Sequence, residues 1–245
     1  MKKLLFISII LLAFSCQEKT KQSNINTDLN PFFQKWDTPY GVPPFLYIKD
    51  EHYMPAFEKG MKDNINEINK IINNTEAPTF ANTIEELERT GKLLSKVQRT
   101  FFNLVGSNTN PKLQELQREL SPILSAHYDK ISLNKGLFNR VEELWKNRKK
   151  LNLTNEQLKL LEDTRKQFVR SGALLNKEQK NKITNINSEI SKLTTKFGQN
   201  LLAETNGFEL ILKKTDLEGL SDNVIAAASD AANQKMNQAK NDQEK

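Results

Sequence analysis

The chain has 245 residues, 37% of them hydrophobic, a single cysteine and a formal net charge of +6 at pH 7. This length suffices for one sizeable hydrophobic core, and the single cysteine excludes a disulfide within the chain. Lys2 and Lys3 account for two of the positive charges, which leaves +4 for the remainder. So small and scattered a charge argues against nucleic-acid binding.

Residues 1–15 have the layout of a secretory signal peptide. Lys2 and Lys3 precede an apolar run of eleven residues, which is too short to span about 30 Å of hydrocarbon. The sequence LAFSC then resembles a bacterial lipobox, which implies that Cys16 becomes the lipidated amino terminus of a membrane lipoprotein. The alternative is that Cys16 is an ordinary cysteine of no consequence.

Residues 16–29 are polar and lack aromatic side chains, so we expect a flexible tether between the bilayer and the folded domain. Gln17, and not an aspartate, follows the cysteine. By analogy with the bacterial sorting rule, this favours the outer membrane over the inner one. We therefore expect a lipid-anchored protein of the cell envelope, on the periplasmic side.

Residues 30–49, which we call the arm, combine prolines with large apolar side chains. Proline fixes φ and removes a backbone donor, so the arm cannot form a helix. Aromatic side chains have a large area to bury, so we expect the arm to lie pinned across a helical body. The residues concerned are Pro31, Phe32, Phe33, Trp36, Pro39, Tyr40, Pro43, Pro44, Phe45, Leu46 and Tyr47.

Apolar residues then recur at three- and four-residue spacing, which predicts a succession of amphipathic helices. The fold class is therefore predicted as mainly α: an elongated multi-helix domain over residues 30–232, with the arm and at most one short strand near 208–214. Residues 233–245 form a polar tail that we expect to be frayed helix or disordered. Thr83 and Glu86 are predicted as a capping box. Gly91 is interpreted as a kink, a close helix contact or a glycine that is merely tolerated at a cost of about 1 kcal/mol.

The longest apolar repeat lies between residues 176 and 205. Its spacing would suit a coiled-coil seam. The abundance of other helices instead favours packing of this stripe inside the domain of a monomer. The stripe consists of Ile183, Ile186, Ile190, Leu193, Phe197 and Leu201.

The two histidines of the chain are not placed to bind a metal ion. Neither His52 nor His127 has a second histidine four residues away, and no acidic or cysteine cluster lies beside either one. His127 shares the apolar face of a predicted helix, so we interpret it as a core histidine bonded to a neighbour. No phosphate-binding loop, G-x-S-x-G motif or Cys/His pair is present, and we predict no catalytic and no metal-binding residue.

Several segments resemble, in order, the amino-terminal part of the thimet oligopeptidase and peptidyl-dipeptidase family of zinc metallopeptidases, its bacterial peptidyl-dipeptidases most closely. The resemblance covers residues 30–232. The segments are NPFFQKWDTPYGVPPFLYIKDEHYMPAFEKGM (30–61), EAPTFANTIEELERTG (76–91), FFNL (101–104), LNKGLFNRVEELW (133–145), FVRSGALL (168–175) and FGQNLLAETNGFEL (197–210).

The resemblance implies a helical wall of a channel that admits short peptides, while zinc and its His-Glu-x-x-His helix belong to a later part of the family's enzymes. The sequence contains no such motif. We therefore expect a truncated, inactive piece without a cofactor of its own, although zinc is expected in the full-length form, which acts on short peptides. The alternative is a stand-alone, non-catalytic lipoprotein that binds peptides or a partner protein.

If Cys16 carries the lipid, the Cys16→Ala variant of the full chain will move from the membrane fraction to the soluble fraction. The variant has no thiol to acylate, and the polar tether alone has no affinity for a bilayer. Fractionation of expressing cells followed by immunoblotting measures this. Unchanged membrane retention of the variant would count against lipidation.

Overall fold

The computed structural model describes residues 29–243, so the predicted signal peptide, Cys16 and all but the last tether residue lie outside the described residues. Every regular element between residues 29 and 243 is helical, which confirms the mainly α prediction. The helices are α1 (Tyr53–Ile72), α2 (Glu86–Arg89), α3 (Lys92–Ser107), α4 (Pro111–Ser132), α5 (Lys135–Asn147), α6 (Asn155–Ser171), α7 (Lys177–Gly207) and α8 (Asp222–Gln243).

These residues divide between Phe197 and Gly198 into two compact units. The second unit contains the end of α7, an irregular segment at 208–213 and α8, with an ion pair of 2.6 Å between Lys235 and Glu209. The strand that the sequence allowed near 208–214 does not form in the described part of the chain, and α8 continues to Gln243 through most of the predicted polar tail.

Helix starts follow local side-chain chemistry, with one correction. The Asn110 side chain accepts a hydrogen bond from the Leu113 backbone N–H at 2.8 Å and thereby caps α4. The predicted capping box of Thr83 and Glu86 is wrong. Thr79 and Asn82 form it instead, with bonds of 3.0 and 2.8 Å, and they open a π-helical turn at Phe80–Glu85 that runs into α2.

Two hydrophobic clusters of the first unit share α1. Phe57 in the amino-terminal half of α1 packs in the first cluster with the arm, α3 and α4, where Phe101 lies 5.4 Å away between ring centroids. Ile68 in the other half packs in the second cluster with α5 and α6, represented by Leu137 and Leu161. α1 is therefore the element that connects the two cores.

Between the two clusters, α1 and α3 approach closely at Gly60. A Cβ atom added at this glycine would lie 2.9 Å from the Leu94 Cα and 3.0 Å from the Leu94 backbone nitrogen. Since these are backbone atoms, they cannot be relieved by a side-chain rotation. The absence of a side chain at position 60 therefore sets the distance between the two helices.

We expect Gly60→Ala to lower the free energy of unfolding by about 1–3 kcal/mol, because the added methyl group must push α1 and α3 apart. Gly106→Ala in α3 is the matched control, because no heavy atom lies within 4 Å of its added Cβ. The control is expected to be neutral or stabilising by up to about 1 kcal/mol. Urea unfolding followed by circular dichroism measures both, and equal effects would contradict the assignment.

Candidate functional site

The first half of the arm is held on α3 by a single lysine. Lys96 donates hydrogen bonds to the carbonyl oxygens of Phe32 at 3.1 Å and of Gln34 at 2.9 Å, and its ammonium lies 3.9 Å from the centroid of the Trp36 ring. Burial lowers the pKa of Lys96 from its ordinary value. The phenyl ring of Phe32 is fully buried against Tyr53. This part of the arm is therefore pinned as expected, except that Phe33 is 45% exposed and not buried as predicted.

The second half of the arm is not pinned by all of its apolar side chains. The sequence predicted that Tyr40 and Leu46 would be buried, but they are 104% and 95% exposed. Tyr40 has a φ of 58° in a tight turn that also contains Gly41, whose φ is 68°. The prediction was wrong here because turn geometry, and not apolar content, decides the direction of the chain.

A cleft of about 780 Å³ opens between the arm and α3. Its wall contains the exposed cations Lys92 and Arg99 and one carboxylate, Glu88, beside the apolar surface of the arm. Guanidinium and ammonium groups bind carboxylates. The lining contains neither histidine nor cysteine, so its chemistry suits binding and offers no catalytic base of that kind. The lining residues are Trp36, Gly41, Pro43, Phe45, Glu88, Thr90, Lys92, Ser95, Lys96, Arg99, Thr100 and Asn103.

The structure places the two histidines apart, each with a structural partner. His52 Nδ1 accepts a hydrogen bond of 3.0 Å from the Lys49 backbone N–H at the turn that precedes α1. His127 is buried, and its Nε2 lies 2.8 Å from the side-chain oxygen of Asn64. The interpretation of His127 as a core histidine is therefore confirmed.

The contact of His127 with Asn64 belongs to a polar layer between the two hydrophobic clusters. Because the Asn64 oxygen accepts, Nε2 of a neutral His127 must carry the proton. Burial, and to a smaller degree the charge of Lys130, lowers the pKa of His127 below its ordinary value. One turn away, the Gly91 backbone N–H donates to the carboxylate of Glu67 at 2.7 Å. This layer joins α1 to α4 and to the start of α3.

A buried arginine, overlooked in the sequence, organises the second cluster. Arg140 on α5 is 8% exposed and donates to the carbonyl oxygens of Asn74 at 2.9 Å and Glu76 at 3.2 Å, and to the side chains of Asn82 and Thr83 at 3.0 and 3.3 Å. All four acceptors are neutral oxygens. The sequence pattern that could have indicated its burial is the position of Arg140 three residues after Leu137, on the apolar face of α5.

The apolar stripe of the long helix α7 faces solvent, although the sequence predicted that it would pack inside the domain. Ile186, Ile190, Leu193 and Phe197 are 47%, 55%, 63% and 68% exposed, so the expectation that they pack inside the domain is wrong. The polar face of α7 is instead hydrogen-bonded to α4. Thr195 donates to Ser121 Oγ at 2.7 Å, and Asn187 donates to the Asp129 carboxylate at 2.8 Å.

Two further properties concern residues 29–243 only. No group of three or more His, Cys, Asp or Glu side chains is arranged there to hold a metal ion. None of the helices in this range combines the length and the apolar character needed to cross a membrane.

Comparison with known proteins relates this chain to peptidases. It is 38% identical over 210 residues to dipeptidyl carboxypeptidase of Escherichia coli, 30% identical over 196 residues to oligopeptidase A of Haemophilus influenzae and 28% identical over 156 residues to a thimet-like oligopeptidase of Dictyostelium discoideum. These matches cover 85%, 80% and 62% of the chain. No protein-family model matches the sequence.

The chain spans only 31%, 29% and 22% of the lengths of these three relatives. The matched part is the amino-terminal part of the full-length enzymes. The family resemblance inferred from the sequence segments is therefore confirmed.

The buried state of His127 predicts a pH dependence of stability. Because its folded pKa is lowered, the unfolded chain binds the proton more readily, so stability is full above about pH 6.5 and falls as the pH drops toward the folded value. We expect the stability difference between the natural chain and His127→Gln to be smaller at about pH 5.5 than at about pH 7.5. Urea unfolding at both pH values measures it, and a constant difference would contradict this role.

Proposed function

Because this chain is homologous to dipeptidyl carboxypeptidase and oligopeptidase A over most of its length, we propose that it is the amino-terminal helical domain of a zinc metallopeptidase that hydrolyses short peptides. The alignment with dipeptidyl carboxypeptidase over 85% of the chain is the observation that supports this proposal. We infer the activity and the substrates of the whole enzyme only from that similarity.

The role of the chain in such an enzyme is structural. Two hydrophobic cores joined by α1 make a stiff helical body, and stiff walls suit a channel that must keep its width while peptides pass. Zinc supplies the Lewis acid and activated water in enzymes of this kind, and the sequence has no His-Glu-x-x-His helix to hold it. By itself the chain therefore forms a wall and hydrolyses nothing.

The location we propose is the cell envelope. A lipidated Cys16 would tether the helical body to a bilayer, with the outer membrane favoured by Gln17. The support for this part is the layout of residues 1–29, a charged start, a short apolar run and a polar linker.

A second candidate function is supported by the cleft between the arm and α3. A stand-alone lipoprotein could bind a peptide there, with Lys92 or Arg99 on a carboxylate and the arm against apolar side chains. This candidate differs from the first because binding would occur without any further polypeptide.

We expect the purified chain alone to release no product from short peptides, with or without added zinc, because it has no zinc-binding helix. A chimera that carries this chain in place of the matched segment of E. coli dipeptidyl carboxypeptidase is expected to release dipeptides in a chelator-sensitive reaction. Chromatographic analysis of the products measures both activities.

Zinc-dependent turnover by the chain alone would contradict the proposed structural role. A folded but inactive chimera, together with peptide binding by the chain alone in fluorescence anisotropy, would favour the second candidate. In that case Arg99→Ala should weaken peptide binding, because it removes a cation from the cleft.

A further inference from the structure

We propose that the exposed apolar face of α7 is the docking surface for the polypeptide that corresponds to the remaining two thirds of the related peptidases. We call this face, formed by the exposed Ile186, Ile190, Leu193 and Phe197 and the half-buried Ile183, the α7 stripe. The proposal rests on the proposed function, because it takes the identity of the occupant from the same relatives.

The first argument is the orientation of α7. Its polar face already has partners on α4, since Thr195 bonds Ser121 and Asn187 bonds Asp129. These bonds leave the large apolar side chains on the open side, at 47–68% exposure from Ile186 to Phe197. A row of this kind is unfavourable in water and is typical of a surface that binds another protein.

The second argument is that the next segment of the chain has the same property. In the second unit Phe208, Leu210 and Ile211 are 75%, 70% and 87% exposed. Within the described residues, no backbone hydrogen bond connects residues 208–212 to another segment. An exposed apolar segment with unpaired backbone groups is suited to pair with a strand of another polypeptide. Residues 208–212 are therefore a second exposed apolar surface of this chain.

The third argument concerns the occupant. The chain spans 31% of the length of dipeptidyl carboxypeptidase, so more than two thirds of that relative has no counterpart in the alignment. That polypeptide must pack against its amino-terminal part. Among the residues that the structure describes, the α7 stripe and residues 208–212 are apolar surfaces suited to such packing.

A second copy of the chain fits the α7 stripe less well. Along one side of the stripe lie the charged residues Lys182, Glu189 and Lys196. We consider two copies of α7 that pair antiparallel, with Ile190 of one copy against Ile186 of the other. Lys182 of one copy would then lie beside Lys196 of the other, and Glu189 beside its own counterpart. Like charges at these flanking positions oppose pairing.

The test is co-expression of the full chain with the part of E. coli dipeptidyl carboxypeptidase that lies outside the alignment, followed by co-purification and titration. We expect a complex, and we expect Ile186→Glu and Leu193→Glu to weaken it at least about tenfold, because each places a charge in an apolar interface. Asn185→Glu is the matched control, since it adds the same charge at the exposed position next to Ile186 and away from the stripe. Unchanged thermal unfolding of all three variants shows that they fold.

A chimera on a Cys16→Ala background provides a second measurement that does not require the separate polypeptide to fold. Maleimide labelling located by mass spectrometry should be at least about tenfold slower at Leu193→Cys in the chimera than in the chain alone, because docking covers that position. Labelling at Asn185→Cys should be the same in both. Equal labelling of Leu193→Cys in both proteins would overturn the proposal.

Two other outcomes would also overturn it. One is a complex that Ile186→Glu and Leu193→Glu leave unchanged. The other is a dimer of the chain alone in sedimentation that the same variants dissociate, since it would assign the stripe to a second copy. Peptide hydrolysis is measured separately, so that a stripe-dependent complex without activity would support docking and count against the proposed function.

Discussion

The close approach of α1 and α3 at Gly60 is the constraint on which the first unit depends. α1 contributes Phe57 to one hydrophobic cluster and Ile68 to the other, so its position relative to α3 affects both cores. With the Leu94 backbone 2.9 Å from a Cβ added at Gly60, no other residue permits this spacing without movement of a helix. Lys96 on α3 in turn holds the arm through its hydrogen bonds. Both walls of the cleft, the arm and α3, therefore depend on the packing of α3 against α1.

Buried polar groups select one arrangement of the packed helices. Hydrophobic contacts tolerate many arrangements, whereas a buried donor needs one particular acceptor. His127 with Asn64 aligns α4 on α1, and the guanidinium of Arg140 gathers the carbonyls of Asn74 and Glu76 with the π-helical turn that follows them. The acceptors around Arg140 are neutral, so the charge remains uncompensated by a carboxylate in direct contact. A buried cation held in this way favours one arrangement of the connection between α1 and α2.

Helices could be predicted from the sequence because their apolar period depends only on local geometry. A cap such as Asn110 likewise depends on a neighbour within three residues. Three features could not. The cap at Thr79 was missed because Thr83 and Glu86 satisfy the same local pattern. The exposure of Tyr40 depends on a turn with positive φ. The contacts of Lys96 and Arg140 join residues that are more than 50 positions apart, so no local pattern contains them.

The α7 stripe shows why periodicity alone cannot decide what an apolar face is for. A 3-4 repeat states that one side of a helix avoids water, but it does not state which neighbour covers that side. Here Asn187 and Thr195 satisfy the polar side against α4, and their hydrogen bonds determine the direction in which the apolar side faces. The polar side of α7 is thus bonded within the unit, while its apolar side remains in contact with solvent. The cleft at α3 needs no further polypeptide to complete it, because Trp36 and Phe45 of the arm already supply its apolar lining. The two surfaces therefore differ in kind: the proposed docking of another polypeptide concerns the stripe, and the proposed binding of a peptide concerns the cleft.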